Sequence, residues 1–189
     1  MTKVFFDTEF TGLHQATTLM SIGLVTERGD SFYAELTDYD QAQLNDWLKA
    51  NVLAHFTLTD HPAGIYFITE DLFGNKLTTI RGEKREVAAA LVAWLQGAGP
   101  VQMWSDCLAY DWVLFNSLLA DFSNGYPQLP GNIHYIPMDI CTLFQLKDVD
   151  PDVSREKYAY GGVYDMPGKK HNALFDAVVI KECFNKLVG

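Results

Sequence analysis

Basic residues are scarce in this chain: 14 Lys and Arg stand against 24 Asp and Glu, a formal net charge of −10. Proteins that coat nucleic acid do so through Lys and Arg at phosphates, so this balance excludes broad electrostatic binding. Any contact with a polyanion must be short and local. Cysteine is scarce too. Cys107, Cys141 and Cys183 are widely spaced and form no C-x-x-C pair, which excludes a disulfide framework or a thiolate zinc site and suits reduced thiols packed as small apolar side chains. No run of about 18 apolar residues is present, so no membrane-spanning helix and no membrane partner are expected. The opening residues lack the basic region, apolar stretch and cleavage site of a secretory leader, and the expected location is cytoplasmic. Internal repeats and low-complexity tracts are also missing. With 189 residues, 48% hydrophobic and 20% charged, the chain is expected to form one domain, residues 1–189, burying about 70% of its unfolded surface.

What is present concentrates at the start, in Val4-Phe5-Phe6-Asp7-Thr8-Glu9-Phe10-Thr11-Gly12-Leu13. Val4–Phe6 reads as a short buried strand with two carboxylates following it. Side chains alternate along a strand, so Asp7 and Glu9 point the same way. Two adjacent carboxylates repel unless positive charge lies between them, and a hard divalent cation held by oxygens supplies it. Gly12 frees the backbone to turn or lets another group approach closely. In so acidic a chain a D-x-E triplet arises easily by chance, and two solvated acids at a strand end would be ordinary. Partners elsewhere must carry the metal reading.

Further along, residues 19–25 and 31–36 read as strands joined by a turn at Gly29-Asp30, an antiparallel meander with the first strand. Residues 41–50 read as a helix with a solvated acidic and amide-rich face. Residues 52–79 read as loop with short helical or strand pieces, a flap or an oligomer contact, in which His55 and His61 are surface or packing residues. Residues 83–96 form an amphipathic helix, with Val87, Leu91, Trp94 and Leu95 on one face and Gly97 as its stop. A strand over 100–104 precedes a helix over 110–122, and a Gly/Pro-rich loop spans 123–131. A strand over 135–138 leads through Asp139, expected to cap a helix over 141–146. Residues 148–168 are polar and turn-rich, and the last helix spans 171–188. Strands alternating with helices in the second half indicate an α/β fold, a mixed central sheet flanked by helices.

Three further segments place acids where strands end or helices begin. Asp111 opens the helix after the 100–104 strand, with Asp106 five residues before it as a rival. His171 and Asp176 lie one and a half helical turns apart, so they do not share a stripe. This suits a histidine at the helix entrance or in the preceding loop, and an inward-facing Asp176 that needs a partner among Ala177, Val178 and Val179.

The order FFDTEFTGL, WSDCLAYDWVLF and KKHNALFDA resembles the DEDD superfamily of 3′–5′ exonucleases in its DEDDh branch. That branch includes ribonuclease T, oligoribonuclease and the proofreading exonucleases of bacterial polymerases. The resemblance runs from Lys3 to about Leu187, and the small ribonuclease T-like exoribonucleases of bacteria and prophages are the most similar subgroup. It implies a ribonuclease H-like fold and two divalent ions, Mg²⁺ or Mn²⁺. Asp7 would bridge both ions, Glu9 and Asp176 would hold the first, and Asp111 the second. His171 would be the general base. Phe10, Thr11, Gly12 and Leu13 match the positions beside the terminal nucleotide. Asp106 stands where the family commonly has a polar residue such as Asn near the substrate. Trp104, Trp112 and Phe115 read as core before they read as base-stacking surfaces, and Arg155, Lys157, Lys169 and Lys170 form the only basic cluster near the motifs. The activity implied is metal-dependent release of nucleoside 5′-monophosphates from a single-stranded 3′ end, RNA before DNA, by a homodimer. The alternatives are a proofreading or repair exodeoxyribonuclease and a non-catalytic nucleic-acid-binding protein on the same fold.

Overall fold

The apolar run at Val4–Phe6 is the middle of a longer strand, β1 (Thr2–Phe10), in a computed structural model that describes residues 1–122, 129–161 and 170–189. β1 is wedged between β2 (Leu19–Thr26), antiparallel to it, and β6 (Val101–Ser105), parallel to it. β3 (Ser31–Leu36), β4 (Tyr66–Glu70), β5 (Lys76–Gly82) and the two-residue β7 (Met138–Asp139) complete a mixed sheet of order β4-β5-β3-β2-β1-β6-β7.

Alternation along β1 explains how one strand serves two cores. Val4 and Phe6 face a cluster with Leu24, Phe32 and Ile80, covered by α2 (Lys84–Gly97) and α3 (Leu108–Phe122). Phe5 faces the other side, with Val25, under α4 (Ile140–Leu146), α5 (Arg155–Tyr160) and α6 (Ala173–Val188). α1 (Asp46–Asn51) seals one end through Leu48, Val52 and Met20.

Several boundaries depart from the sequence reading. β1 continues through Phe10, so Asp7 and Glu9 are strand residues and not the tail of a strand. The 41–50 helix divides into a 3₁₀ turn (Gln41–Gln43) and α1, where the Asn45 side chain accepts from the Leu48 N–H and starts a new helix. Residues 52–79 hold β4 and most of β5, the latter parallel to β3, whose side-chain alternation was hidden among turn residues. α2 opens with a Glu83–Glu86 capping box and takes in Gly97 as its last residue. Asp139 caps α4 as expected, accepting from the Cys141 and Thr142 N–H groups. The 135–138 strand shrinks to β7. Of the expected loops, 123–128 and 162–168 lie outside the described residues.

Candidate functional site

β6 ends at Ser105 while β1 runs on past it, and Asp7 and Glu9 stand on that overhang, on the face that α6 covers. α6 approaches closely because of Gly23. It lies directly across from Asp7 in the β1–β2 register, and a Cβ there would sit 2.2 Å from the Leu174 backbone nitrogen. The glycine lets the first turn of α6 rest on the sheet beside Asp7, which carries His171 and Asp176 to the same place.

The result is two adjoining groups of ligand atoms. Glu9, His171 and Asp176 offer atoms within 4.8 Å of one another, and so do Asp7, Asp106 and Asp111. Asp111 is fully buried: its Oδ1 accepts from Thr8 Oγ1 at 2.6 Å and its Oδ2 accepts from Ser105 Oγ. Asp106 faces the cleft and accepts from Arg155 Nε at 3.2 Å. Both of the acids weighed from the sequence therefore lie beside Asp7, one beneath it and one in the wall.

His171 precedes α6, whose N-cap is Asn172, and has a left-handed backbone (φ 65°) that costs a non-glycine residue about 1–2 kcal/mol. The strain has a return, since the His171 N–H donates to Asp176 Oδ2 at 2.8 Å. Its imidazole is half-buried, with Nδ1 3.8 Å from Glu9 Oε1, and the Trp47 ring meets it edge-on at 5.1 Å. Burial, with Lys170 and His55 adding to it, holds His171 below the ordinary histidine value, so the ring is neutral and able to accept a proton at pH 7.

The carboxyls shift the other way. Burial, then the charges of Asp176, Asp111 and Asp106, push Glu9 up to about 8. Burial raises Asp176 to about 7, and Asp111 to about 7 against its Ser105 and Thr8 hydrogen bonds. Asp7 is raised well above the carboxylate range by burial and by all four neighbouring acids. Arg155 answers only Asp106; the remaining negative charge is not matched at close range, and the donor set of five carboxylates and an imidazole fits hard divalent cations.

A stability prediction follows from these shifts. In the folded protein Glu9, Asp111 and Asp176 keep their protons to about pH 7–8, whereas in the unfolded chain they lose them near about pH 4. Folding takes up protons in that window, so stability falls as pH rises from about 4 to about 8. In EDTA the melting temperature should drop between pH 5 and pH 8, with Mg²⁺ or Mn²⁺ restoring it at pH 8 far more than at pH 5. A flat profile with no cation effect would contradict the charge assignment.

The cleft over these acids encloses about 570 Å³ and is lined by Phe10, Thr11, Gly12, Leu13, Trp47, Arg155 and Lys170 among others. Phe10 stacks on Tyr110 (5.2 Å, 10°), and Leu13 is exposed. The Thr11 hydroxyl is committed to its own loop, accepting from the Thr18 N–H and bonding Gln43 Oε1. Trp104, Trp112 and Phe115 belong to the two cores. Lys157 is not among the lining residues and Lys169 lies outside the described residues. Cys107 was expected to pack as an apolar residue; instead it is exposed in the cleft wall, because it falls in the turn between β6 and α3. Trp47 was missed altogether. A lone tryptophan in an otherwise polar, solvated helix was the available signal.

An acidic overhang on the central strand of a mixed sheet, with a histidine and an aspartate at the head of the last helix beside it, lies in an α/β fold of the ribonuclease H-like type. The fold agrees: the nuclease-containing catalytic unit of Neurospora crassa Pan2 (protease and nuclease domain) superposes with a TM-score of 0.53 at 14% identity, over 98% of this chain and 26% of that one. The chain belongs to the 3′–5′ exoribonuclease Rv2179c-like domain family, whose model matches residues 2–188. Among its relatives are the Mycobacterium tuberculosis 3′–5′ exoribonucleases Rv2179c (strain H37Rv) and MT2234.1 (strain CDC 1551), each 37% identical over 51 residues. The aligned stretch spans 27% of this chain and only 30% of each relative.

Proposed function

We propose that this chain, residues 1–189 as one exonuclease domain, hydrolyses single-stranded RNA from its 3′ end by a two-metal DEDDh mechanism and releases nucleoside 5′-monophosphates. The observation that carries the reading is the meeting of Asp7, Glu9, His171 and Asp176 in one cleft, with Asp111 and Asp106 beside Asp7. The RNA preference rests on the family.

Asp7, Glu9 and Asp176 would hold one cation, and Asp7 with Asp111 the other. Bound Mg²⁺ or Mn²⁺ supplies the charge that stabilises the entering and leaving oxygens of an in-line displacement. The protein's own part is proton transfer and positioning. The neutral His171 imidazole accepts the proton of the attacking water. Asp106 holds Arg155 in the cleft wall, where the guanidinium meets a backbone phosphate. Phe10, Thr11, Gly12 and Leu13 border the terminal nucleotide, and the half-exposed Trp47 offers it a stacking face. Stacking on an aromatic ring is worth about 1–3 kcal/mol per base, so Trp47→Ala should raise KM about tenfold in steady-state assays with little change in Mg²⁺ dependence. An unchanged KM would remove Trp47 from the substrate site.

No helix among the described residues is long and apolar enough to cross a membrane. The three free cysteines suit a reducing cytoplasm. A homodimer is part of the reading, and the exposed Tyr66, Phe67 and Ile68 on edge strand β4 support it.

The deciding experiment is a time course on 5′-labelled single-stranded RNA and DNA of one sequence with Mg²⁺, Mn²⁺ or EDTA. A metal-dependent ladder shortening from the 3′ end, faster on RNA, is expected. Faster loss of DNA would reassign the substrate to an exodeoxyribonuclease, and no cleavage of either would favour a binding protein.

A further inference from the structure

The α6-facing surface of the sheet carries a second polar row that the reaction does not use. Ser21 pairs with Glu9 on one side and with Glu35 on the other; Gly23 pairs with Asp7 and with Tyr33. The two rows continue the site away from the cleft and into the protein. Glu35 is almost completely buried, and its Oε1 accepts three hydrogen bonds: from Tyr33 Oη (2.9 Å), the Thr57 N–H (2.6 Å) and the Leu58 N–H (3.0 Å). Tyr33 Oη in turn accepts from Asn172 Nδ2 at 3.2 Å. The same Nδ2 donates to the His55 carbonyl (3.2 Å), while Asn172 Oδ1 accepts from the Phe175 N–H and caps α6 (3.1 Å).

A buried carboxyl rarely persists without a use, since desolvation opposes it. Here its three donors come from two parts of the molecule that must stay in register. One is the 53–58 stretch, which continues the α1 wall bearing Trp47. The other, reached through Tyr33, is the turn bearing His171. Tyr33, Leu58 and Ala173 also pack together as a small apolar cluster, so the hydrogen bonds run through a dry, close-fitting contact. The His171 backbone sits in a strained left-handed conformation, and a strained residue persists only where its surroundings over-determine it.

We propose that Glu35 and Tyr33 are positioning residues: through Asn172 they lock the His171–Asn172 turn against the 53–58 wall and keep the strained His171 backbone bonded to Asp176. This proposal rests on the reading of His171 as the proton acceptor only for its effect on rate; the effect on the turn itself is independent of it. Neither side chain touches substrate or cation.

Two variants of the full chain test it. Tyr33→Phe keeps the ring and removes the hydroxyl that joins Asn172 to Glu35. Glu35→Gln keeps an accepting oxygen for all three donors and is the conservative control. Amide exchange followed by NMR reads the turn without reference to activity. In Tyr33→Phe the His171 N–H should exchange at least about tenfold faster while amides of β1 and α2 stay protected, a local opening and not a global one. On the RNA ladder, kcat should fall about tenfold with KM and Mg²⁺ half-saturation nearly unchanged, since misplacing a proton acceptor affects the transition state alone. Glu35→Gln should stay within about twofold of the parent in both measurements. The proposal is overturned if Tyr33→Phe leaves His171 exchange unchanged, or if exchange rises equally across β1 and α2, which a merely structural role would produce. An inactive parent protein would sink the exonuclease reading and leave the exchange result to decide this one.

Discussion

Asp7→Asn should abolish turnover and at the same time make the cation-free protein more stable. Asp7 is the acid that all the others surround: Asp111, Asp176, Glu9 and Asp106 each raise its pKa on top of the effect of burial. With its carboxyl held protonated well above the ordinary range, Asp7 takes up a proton on folding at pH 8; a neutral isostere removes that cost, so melting in EDTA at pH 8 should move up. Activity moves the other way. If Asp7 holds the cations as proposed, its loss would forfeit several kcal/mol of transition-state stabilisation, about 10³-fold or more in kcat at 1.4 kcal/mol per decade. A residue that served only the fold would lower both quantities together. Full Mg²⁺-dependent activity in Asp7→Asn would refute the site.

Gly23→Ala should have the largest effect of any change away from the charged residues. The added methyl would sit 2.2–2.4 Å from backbone atoms of Ala173 and Leu174. Backbone cannot rotate aside as a side chain does, so α6 must lift. Overpacking of this kind costs about 1–3 kcal/mol, a drop of roughly 2–12 °C in Tm for a chain this size. The kinetic loss should exceed what stability predicts, because α6 carries Asp176 and the turn leading into it carries His171, and a shift of about 1 Å at reacting groups costs about 10²-fold. Assays well below the lowered Tm separate the two effects. A variant with parental Tm and kcat would show that α6 does not rest where the glycine admits it.

The site was more legible in the sequence than the route by which it is assembled. Asp7 and Glu9 could be paired because strand alternation is local, and His171 and Asp176 because a helix start has its own spacing rules. The meander of β1, β2 and β3 and the amphipathic α2 were readable for the same reason. Gly23 could not be read: its role depends on Leu174, about 150 residues away, and a glycine inside an apolar strand looks like any other. Glu35 looked like the polar position of an alternating strand, and only its three donors, two of them backbone N–H groups from Thr57 and Leu58, explain its burial. β4 and β5 were obscured because their pairing is with β3 and with each other, across turns that dominate the local composition. Asp111 could be preferred over Asp106 as a ligand from the aromatic-apolar helix that follows it. Burial separates them: Asp111 is buried beside Asp7 and accepts from Thr8 and Ser105, whereas Asp106 faces the cleft and accepts from Arg155.

Asp7 and Glu9 lie on the opening strand, whereas His171 and Asp176 arrive with the last helix. The two carboxylates of β1 are therefore joined by the histidine and the third carboxylate only when α6 settles over Gly23, a contact about 150 residues apart in the chain. Domains fold as units, and elements far apart in sequence close last. The cluster therefore exists only in the folded domain, once α6 has settled over Gly23 beside Asp7.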